Sequence, residues 1–336
     1  MTTYIVKPSI SYFGKIPSCG DFVKSHGNLP LTTTLDEWIA QTMELMAVDP
    51  RWKIIYDAIQ PIHFAFLGSH NKLAIAGHLI ASQDASSRRF PFLAVTMFEV
   101  RQPLSFIGVS PVAMTLLWSK LAAHVQLVSR SAEPGKVLAD LEVVQVDVDV
   151  SGNHHGGFNE FIELQTVAGL EQLLIKQNEQ EGHPVRLRRM ILALGMLLRP
   201  VMQRAKSGEL ARLEKGIVLP LPDDPIYRGL VACFWLVLIS HFLVHADIEL
   251  SLFIGEIVGK QRLVIGFNGA SPKTLHGVMA PDAFEEHHIL IDDASWVEEH
   301  LDGNYGIKKL ASYLDQSQLS LRVAIDTFSE VFIGAK

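Results

Sequence analysis

Two hydrophobic rhythms run along the chain, one of about 3.6 residues and one of 2, and each predicts its own elements. In the first, Leu35, Trp38, Ile39, Thr42 and Met46 line one face of a helix. Thr34 and Glu37, three residues apart, predict its start, because a hydroxyl and a carboxylate at that spacing satisfy each other's free amides; Pro50 predicts its end. Pro111 predicts the start of a second helix carrying Met114, Leu117, Trp118, Leu121, Val125 and Val128. A third passes through Leu187, Ile191, Leu194, Leu198 and Met202, and Leu319 to Phe332 reads as a closing helix.

In the second rhythm, Ile62 to Leu67 and Leu73 to Ala81 read as strands around the turn Gly68, Ser69, His70, Asn71. Phe92 to Val100 follows as a third strand, so the early sheet is expected to be antiparallel. Val144, Val146, Val148 and Val150 alternate with Gln145, Asp147 and Asp149, the pattern of a half-buried strand. Asp247 to Ile257 and Arg262 to Phe267 read as a strand pair joined through Val258 to Gln261. Strands and helices mix without regular alternation, which predicts an α+β fold: a central, largely antiparallel sheet flanked by helices, with a more helical C-terminal portion. The Gly-containing loop Ser151 to Gly157 suggests a boundary between residues 1–150 and 151–336, and Pro220, Pro222 and Pro225 mark a second irregular connection.

Composition narrows the function classes. With 48% hydrophobic and 19% charged residues, 336 positions supply a sizeable core. The net charge of -7, without a basic run, disfavours nucleic acid as a partner. Two distant cysteines, Cys19 and Cys233, make no disulfide framework, so a reducing compartment is expected. The first ten residues show no basic region leading into an apolar run; no signal peptide and a cytoplasmic location are the expectation. Leu230 to Val244 is apolar, but as a helix it would span roughly 22 Å against a bilayer core of about 30 Å. Ser240 and His241 interrupt it, so a buried element, and no membrane insertion, is expected.

Chemistry-bearing residues concentrate in two segments. Tyr12 to Val23 holds two glycines and a proline around Lys15, Ser18 and Asp21, between the aromatic anchors Phe13 and Phe22. It fits a structural turn in which Asp21 accepts from backbone amides and Lys15 is solvated better than it fits an anion- or partner-binding loop. The phosphate-wrapping spacing of a P-loop is absent. Ala81 to Pro91 holds Asp84, Arg88 and Arg89; a bidentate contact from Arg88 to Asp21 or Asp84 would tie the two segments together.

The 14 histidines include the adjacent pairs His154–His155 and His287–His288, but neighbours on a strand face opposite ways and no H-E-x-x-H spacing occurs. No metal is expected, and His241 and His245 read as core histidines. Ser18 and Ser82 lack a nucleophile elbow, and Cys19 beside Lys15 has no nearby histidine. No catalytic constellation or cofactor motif emerges.

The first segment resembles the opening signature of the TagF/ImpM family, G-K-[LI]-P-S-x-G-D-F, through Gly14, Lys15, Ile16, Pro17, Ser18, Gly20, Asp21 and Phe22. Asp36 and Trp38 fall where that family has a W-D-x-W-like helix start, and Tyr56, Pro61 and Phe64 resemble its Y…P-x-W-x-F segment. Gly77, Ser82, Asp84, Arg88, Phe90 and Pro91 resemble its G-x-x-x-P-S-x-D-x-x-G-R-x-F-P element. Ala81 replaces the proline and Ser87 the glycine of that element, and His63 stands where an indole is usual. In the second half, Gly266 to Pro272 resembles a late family turn.

The resemblance implies a cytoplasmic accessory protein, not an enzyme, that restrains type VI secretion after translation by binding a component of the apparatus. The implied partner is its forkhead-associated scaffold protein. Lys15, Ser18, Asp21, Asp84 and Arg88 are the expected binding site, with Asp21 and Arg88 fixing the loops and Lys15 and Ser18 presenting the contact. An assembly factor of the apparatus, or an enzyme binding a phosphoester or nucleotide, is the alternative.

Overall fold

The computed structural model describes residues 4–151, 155–175, 185–208, 213–292, 294–301 and 303–334. Its strands are β1 (Ile5–Val6), β2 (Ile10–Gly14), β3 (Val23–Lys24), β4 (Ile62–Gly68), β5 (Leu73–Ile80), β6 (Phe92–Glu99), β7 (Val148–Asp149), β8 (Gly216–Pro220), β9 (Glu249–Ile257), β10 (Lys260–Gly266) and β11 (His288–Leu290). The helices of the first part are α1 (Leu29–Met46), α2 (Trp52–Asp57), α3 (Pro103–Arg130) and α4 (Pro134–Val143). Beyond them come α5 (His155–Leu164), α6 (Val167–Ile175), α7 (Leu187–Lys206), α8 (Pro225–Ser240), α9 (Pro272–Met279), α10 (Pro281–His287), α11 (Tyr305–Leu314) and α12 (Leu321–Phe332).

Nine strands join in one sheet, ordered β11-β8-β10-β9-β4-β5-β6-β2-β3. The β8–β11 pair is parallel and the other pairs are antiparallel, so the expected α+β class and largely antiparallel sheet are found. At its centre β4 pairs with β9 from Ile62↔Gly255 to Gly68↔Glu249, so strands from both sides of residue 150 share the sheet.

The period of 2 along each strand divides the core between two faces. On one, Phe64, Leu79, Val95 and Phe253 pack under Trp38 and Ile39 of α1 and Leu275 of α9. On the other, Ala65, Ala76 and Ala94 are small and leave room for α3 and α8, behind which α5, α6, α7, α11 and α12 pack. Met114, Leu117, Trp118, Leu121, Val125 and Val128 of α3 are all buried there, as their spacing predicts. By length and composition α3 is apolar enough to cross a membrane; in this fold that apolar face is packed on the sheet and α8. The Leu230 to Val244 run supplies the buried side of α8.

Several boundaries differ from expectation. Helix α1 begins at Leu29, where the Asn28 side chain accepts from the Leu31 amide at 3.2 Å. Pro30 is tolerated in that first turn, where amides have no helical partner. Thr34 therefore lies inside the helix and donates to the Pro30 carbonyl at 3.0 Å instead of capping. Helix α3 likewise begins at Pro103 and runs straight through Pro111. A proline nitrogen cannot bond the carbonyl four residues back. The Ser110 hydroxyl donates to that carbonyl, Ile107 O, at 2.9 Å in the buried interior.

The alternation from Val144 to Val150 is real in burial, yet only Val148–Asp149 pairs, with Ile5–Val6 of β1, because α4 extends to Val143. Gly156 and Gly157 belong to α5, not to a loop; residues 152–154, and with them His154, lie outside the described residues. His241 and His245 follow the end of α8, and His245 is exposed rather than in the core.

Candidate functional site

The two motif-bearing segments meet at the edge of the sheet formed by β6, β2 and β3. Gly14 ends β2 with φ +133°, a conformation that favours glycine, and a Cβ there would come within 2.0 Å of the Pro91 carbonyl oxygen. The chain then turns over Pro17, with the Cys19 amide donating to Ile16 O at 3.1 Å. Gly77 of β5 lies under the Phe64 ring, which a Cβ would strike at 2.3 Å.

Asp84 is the hub. Its side chain is fully excluded from solvent, yet Oδ1 accepts from the Ser86 and Arg88 amides at 2.9 Å each. Oδ2 accepts from Arg88 Nε at 2.7 Å and from the Lys15 ammonium at 3.0 Å. Burial alone would push this carboxyl up; the Arg88 amide, Lys15, the Arg88 guanidinium and the Ser86 amide together hold it well below the usual carboxylate range. Arg88 Nη2 also donates to Gly20 O at 2.6 Å, and the Ala85 amide to Cys19 O at 2.9 Å, so side chains and backbone both clamp the loops.

The expected site residues therefore divide differently from the sequence reading. Lys15, Asp84 and Arg88 come together, while Asp21 and Ser18 stay at the exposed tip. Lys15 is neither solvated nor presented: it is 7% exposed and ion-paired. Arg88 meets Asp84, not Asp21, whose Oδ1 accepts from the adjacent Phe22 amide at 2.8 Å. The loops are fixed by Asp84 with Lys15 and Arg88, leaving Ser18, Asp21 and Phe22 to face outward.

Phe22, an aromatic anchor by its place in the sequence, is 41% exposed as a residue. It stacks on Phe13 (5.4 Å between centroids, 5° between planes), meets Phe90 edge-on at 4.9 Å, and lies 4.9 Å from the Lys15 ammonium. A rigid, half-exposed aromatic beside polar groups is the composition of an interface hot spot.

A second brace joins residues distant in sequence. Arg89 makes a bidentate pair with Asp57 of α2 at 2.7 and 2.6 Å, while the Tyr56 hydroxyl donates to Ser82 O and accepts from the Ser82 amide, both at 2.9 Å. The adjacent arginines were visible in sequence, but partners 32 residues away were not. Ser87 has φ +60°, so the position where the resembling motif carries glycine is strained for a side chain. Ser87→Gly is expected to raise stability by about 0.5–1 kcal/mol in urea unfolding. A loss of stability would contradict that reading.

Among the described residues, no group of three or more His, Cys, Asp or Glu side chains is placed to hold a metal. His288 is buried and bonds Phe284 O through Nδ1 at 3.0 Å, whereas His287 meets His276 at 3.3 Å, so the adjacent pair diverges.

These features define a chain whose N-terminal part builds a rigid, aromatic-tipped loop surface on an α+β scaffold. Residues 11–143 match the TagF N-terminal domain, described as type VI secretion system-associated. Over those residues, about two fifths of its length, the chain carries a TagF N-terminal domain. No curated protein sequence matches it significantly. Among solved structures, that of PA0076 from Pseudomonas aeruginosa PAO1 is similar at 19% identity, with a TM-score of 0.35. That match spans 42% of this chain and 65% of the other, just under two thirds of its length.

Proposed function

We propose that this protein is a cytoplasmic, post-translational negative regulator of type VI secretion, acting by binding a protein of the apparatus rather than by catalysis. Its proposed partner is the forkhead-associated scaffold protein. The observation that carries the reading is the loop of the TagF N-terminal domain: Asp84, Lys15 and Arg88 are consumed in holding it, which leaves Ser18, Asp21 and Phe22 as a preformed contact. A loop already fixed in one conformation loses little entropy on binding, which favours recognition. The buried charges are each matched by a partner, an arrangement suited to rigidity.

Deleting the gene should raise secretion while leaving the amounts of apparatus proteins unchanged. Unchanged secretion removes the regulatory reading, and lost secretion with a stoichiometric baseplate partner assigns the chain to assembly instead. A Phe22→Ala protein should fold normally and behave like the deletion.

A further inference from the structure

A cleft of about 1020 Å³ lies away from the loop, on the α3 side of the sheet. Both parts of the chain build it: β4, β5 and α3 from one, α8, β9 and β10 from the other. Its volume is that of a small-molecule site, which typically encloses about 300–1,000 Å³.

The floor carries an unusual pair. His63 of β4 and His78 of β5 face each other across the strands, with Nδ1 to Nδ1 at 3.0 Å. Trp118 of α3 stacks on His63 at 5.4 Å and is itself fixed by donating from Nε1 to Phe64 O at 3.2 Å. Burial holds both imidazoles neutral, and in a neutral pair one Nδ1 donates and the other accepts. The two Nε2 atoms are consequently one donor and one acceptor. Neither has a protein hydrogen-bond partner among the described residues, although His78 is only 4% exposed.

The wall beside this pair carries charge. Arg228 of α8 is half-buried; its Nε donates to Pro222 O at 3.1 Å and its Nη2 to Asp223 O. Two carbonyls take two of its five N–H donors without cancelling its charge, and no carboxylate pairs with it among the described residues. Arg130 stands at the end of α3, also without an acidic partner among them, and Glu256 is the one carboxylate lining the cleft, exposed at its rim. In a chain of net charge -7, the cleft is thus locally cationic, with Ile80, Val112 and Ile254 supplying apolar surface.

We infer that this cleft is a binding site for a small organic anion, its acidic head on Arg228 and the histidine pair and its apolar body along α3. A half-buried guanidinium without a counter-charge, next to an unused donor and acceptor, gives such a ligand directional contacts that a bare apolar groove lacks. The site is separate from the loop surface, and the inference stands whether or not that surface binds a secretion protein.

The test uses the purified full chain and two dyes of nearly the same body, anionic 8-anilinonaphthalene-1-sulfonate and uncharged N-phenyl-1-naphthylamine. The sulfonate dye should bind saturably with one-to-one stoichiometry. Arg228→Met should weaken it about tenfold or more while changing the uncharged dye less than twofold. Ala122→Phe, which places a ring in the cleft from α3, should weaken both dyes, and near-ultraviolet circular dichroism checks that each variant is folded. Non-saturable binding, equal losses of both dyes in Arg228→Met, or binding that Ala122→Phe leaves intact would each overturn the inference. If Arg228→Met does not fold, Ala122→Phe and the stoichiometry still decide it.

Discussion

Replacing Asp84 with alanine should cost more stability than any other single change in the loop region. The substitution strands the buried Lys15 ammonium, frees Arg88, and removes the acceptor of two backbone amides at once. Breaking a buried ion pair by deleting one partner typically costs about 3–5 kcal/mol. Lys15→Met should cost less, because Asp84 keeps Arg88 and both amides and the methionine fills the same space. Arg88→Ala should cost least, because the arginine side chain is 59% exposed and solvent can replace its bonds. Urea unfolding of the three variants gives the order directly, and an Asp84→Ala protein within about 1 kcal/mol of the parent would remove the hub role. The same variant should lose partner binding even where it remains folded, since the Phe22 tip depends on the clamp.

Acid should destabilise the protein well before its carboxylates titrate. Burial, with the charge of Arg228 adding to it at His63, lowers the folded-state pKa of His63 to about 4 and that of His78 to about 3; burial also lowers His288 to about 4. In the unfolded chain these rings titrate near 6.5. Between those values the unfolded state holds more protons, so the stabilisation present above pH 6.5 is lost as pH falls toward 4. The loss between pH 6.5 and pH 5 amounts to about 2 kcal/mol for each ring. Asp84 has the same sign in a lower window, its contribution being present above about pH 4 and lost below it. Unfolding midpoints measured from pH 7.5 to 5 should fall steadily, and His63→Asn and His78→Asn should each flatten the curve. A profile that neither variant changes would remove the histidine pair as the cause and leave His288, and a flat profile in the parent would remove all three.

How much of this was legible depended on the range of the interaction. The faces of α3 and α7, the β4–β5 and β9–β10 hairpins, and the concentration of chemistry in Tyr12 to Val23 and Ala81 to Pro91 all follow from neighbours a few residues apart. Helix starts were less legible. At α1 a plausible hydroxyl–carboxylate pair lay inside the helix, and the true cap was an asparagine just ahead of a proline. At α3 the proline that looked like a beginning is accommodated by the serine before it. The His63–His78 pair was invisible because it arises from register between two strands, and in sequence His63 was only a departure from the family's usual indole.

The sequence by itself determined the class of fold, the buried faces of the long helices, the two segments that make the loop surface and the resemblance that the TagF domain match supports. Those depend on periodicity and local motif, which a linear chain displays. Tertiary structure decided the roles within the site, burying Lys15 under Asp84, turning Arg88 away from Asp21 and leaving Phe22 exposed. It also decided that β4 would meet β9 and so place Arg228 beside His63. Both outcomes depend on which distant groups must share a desolvated space, and only the folded chain brings them there.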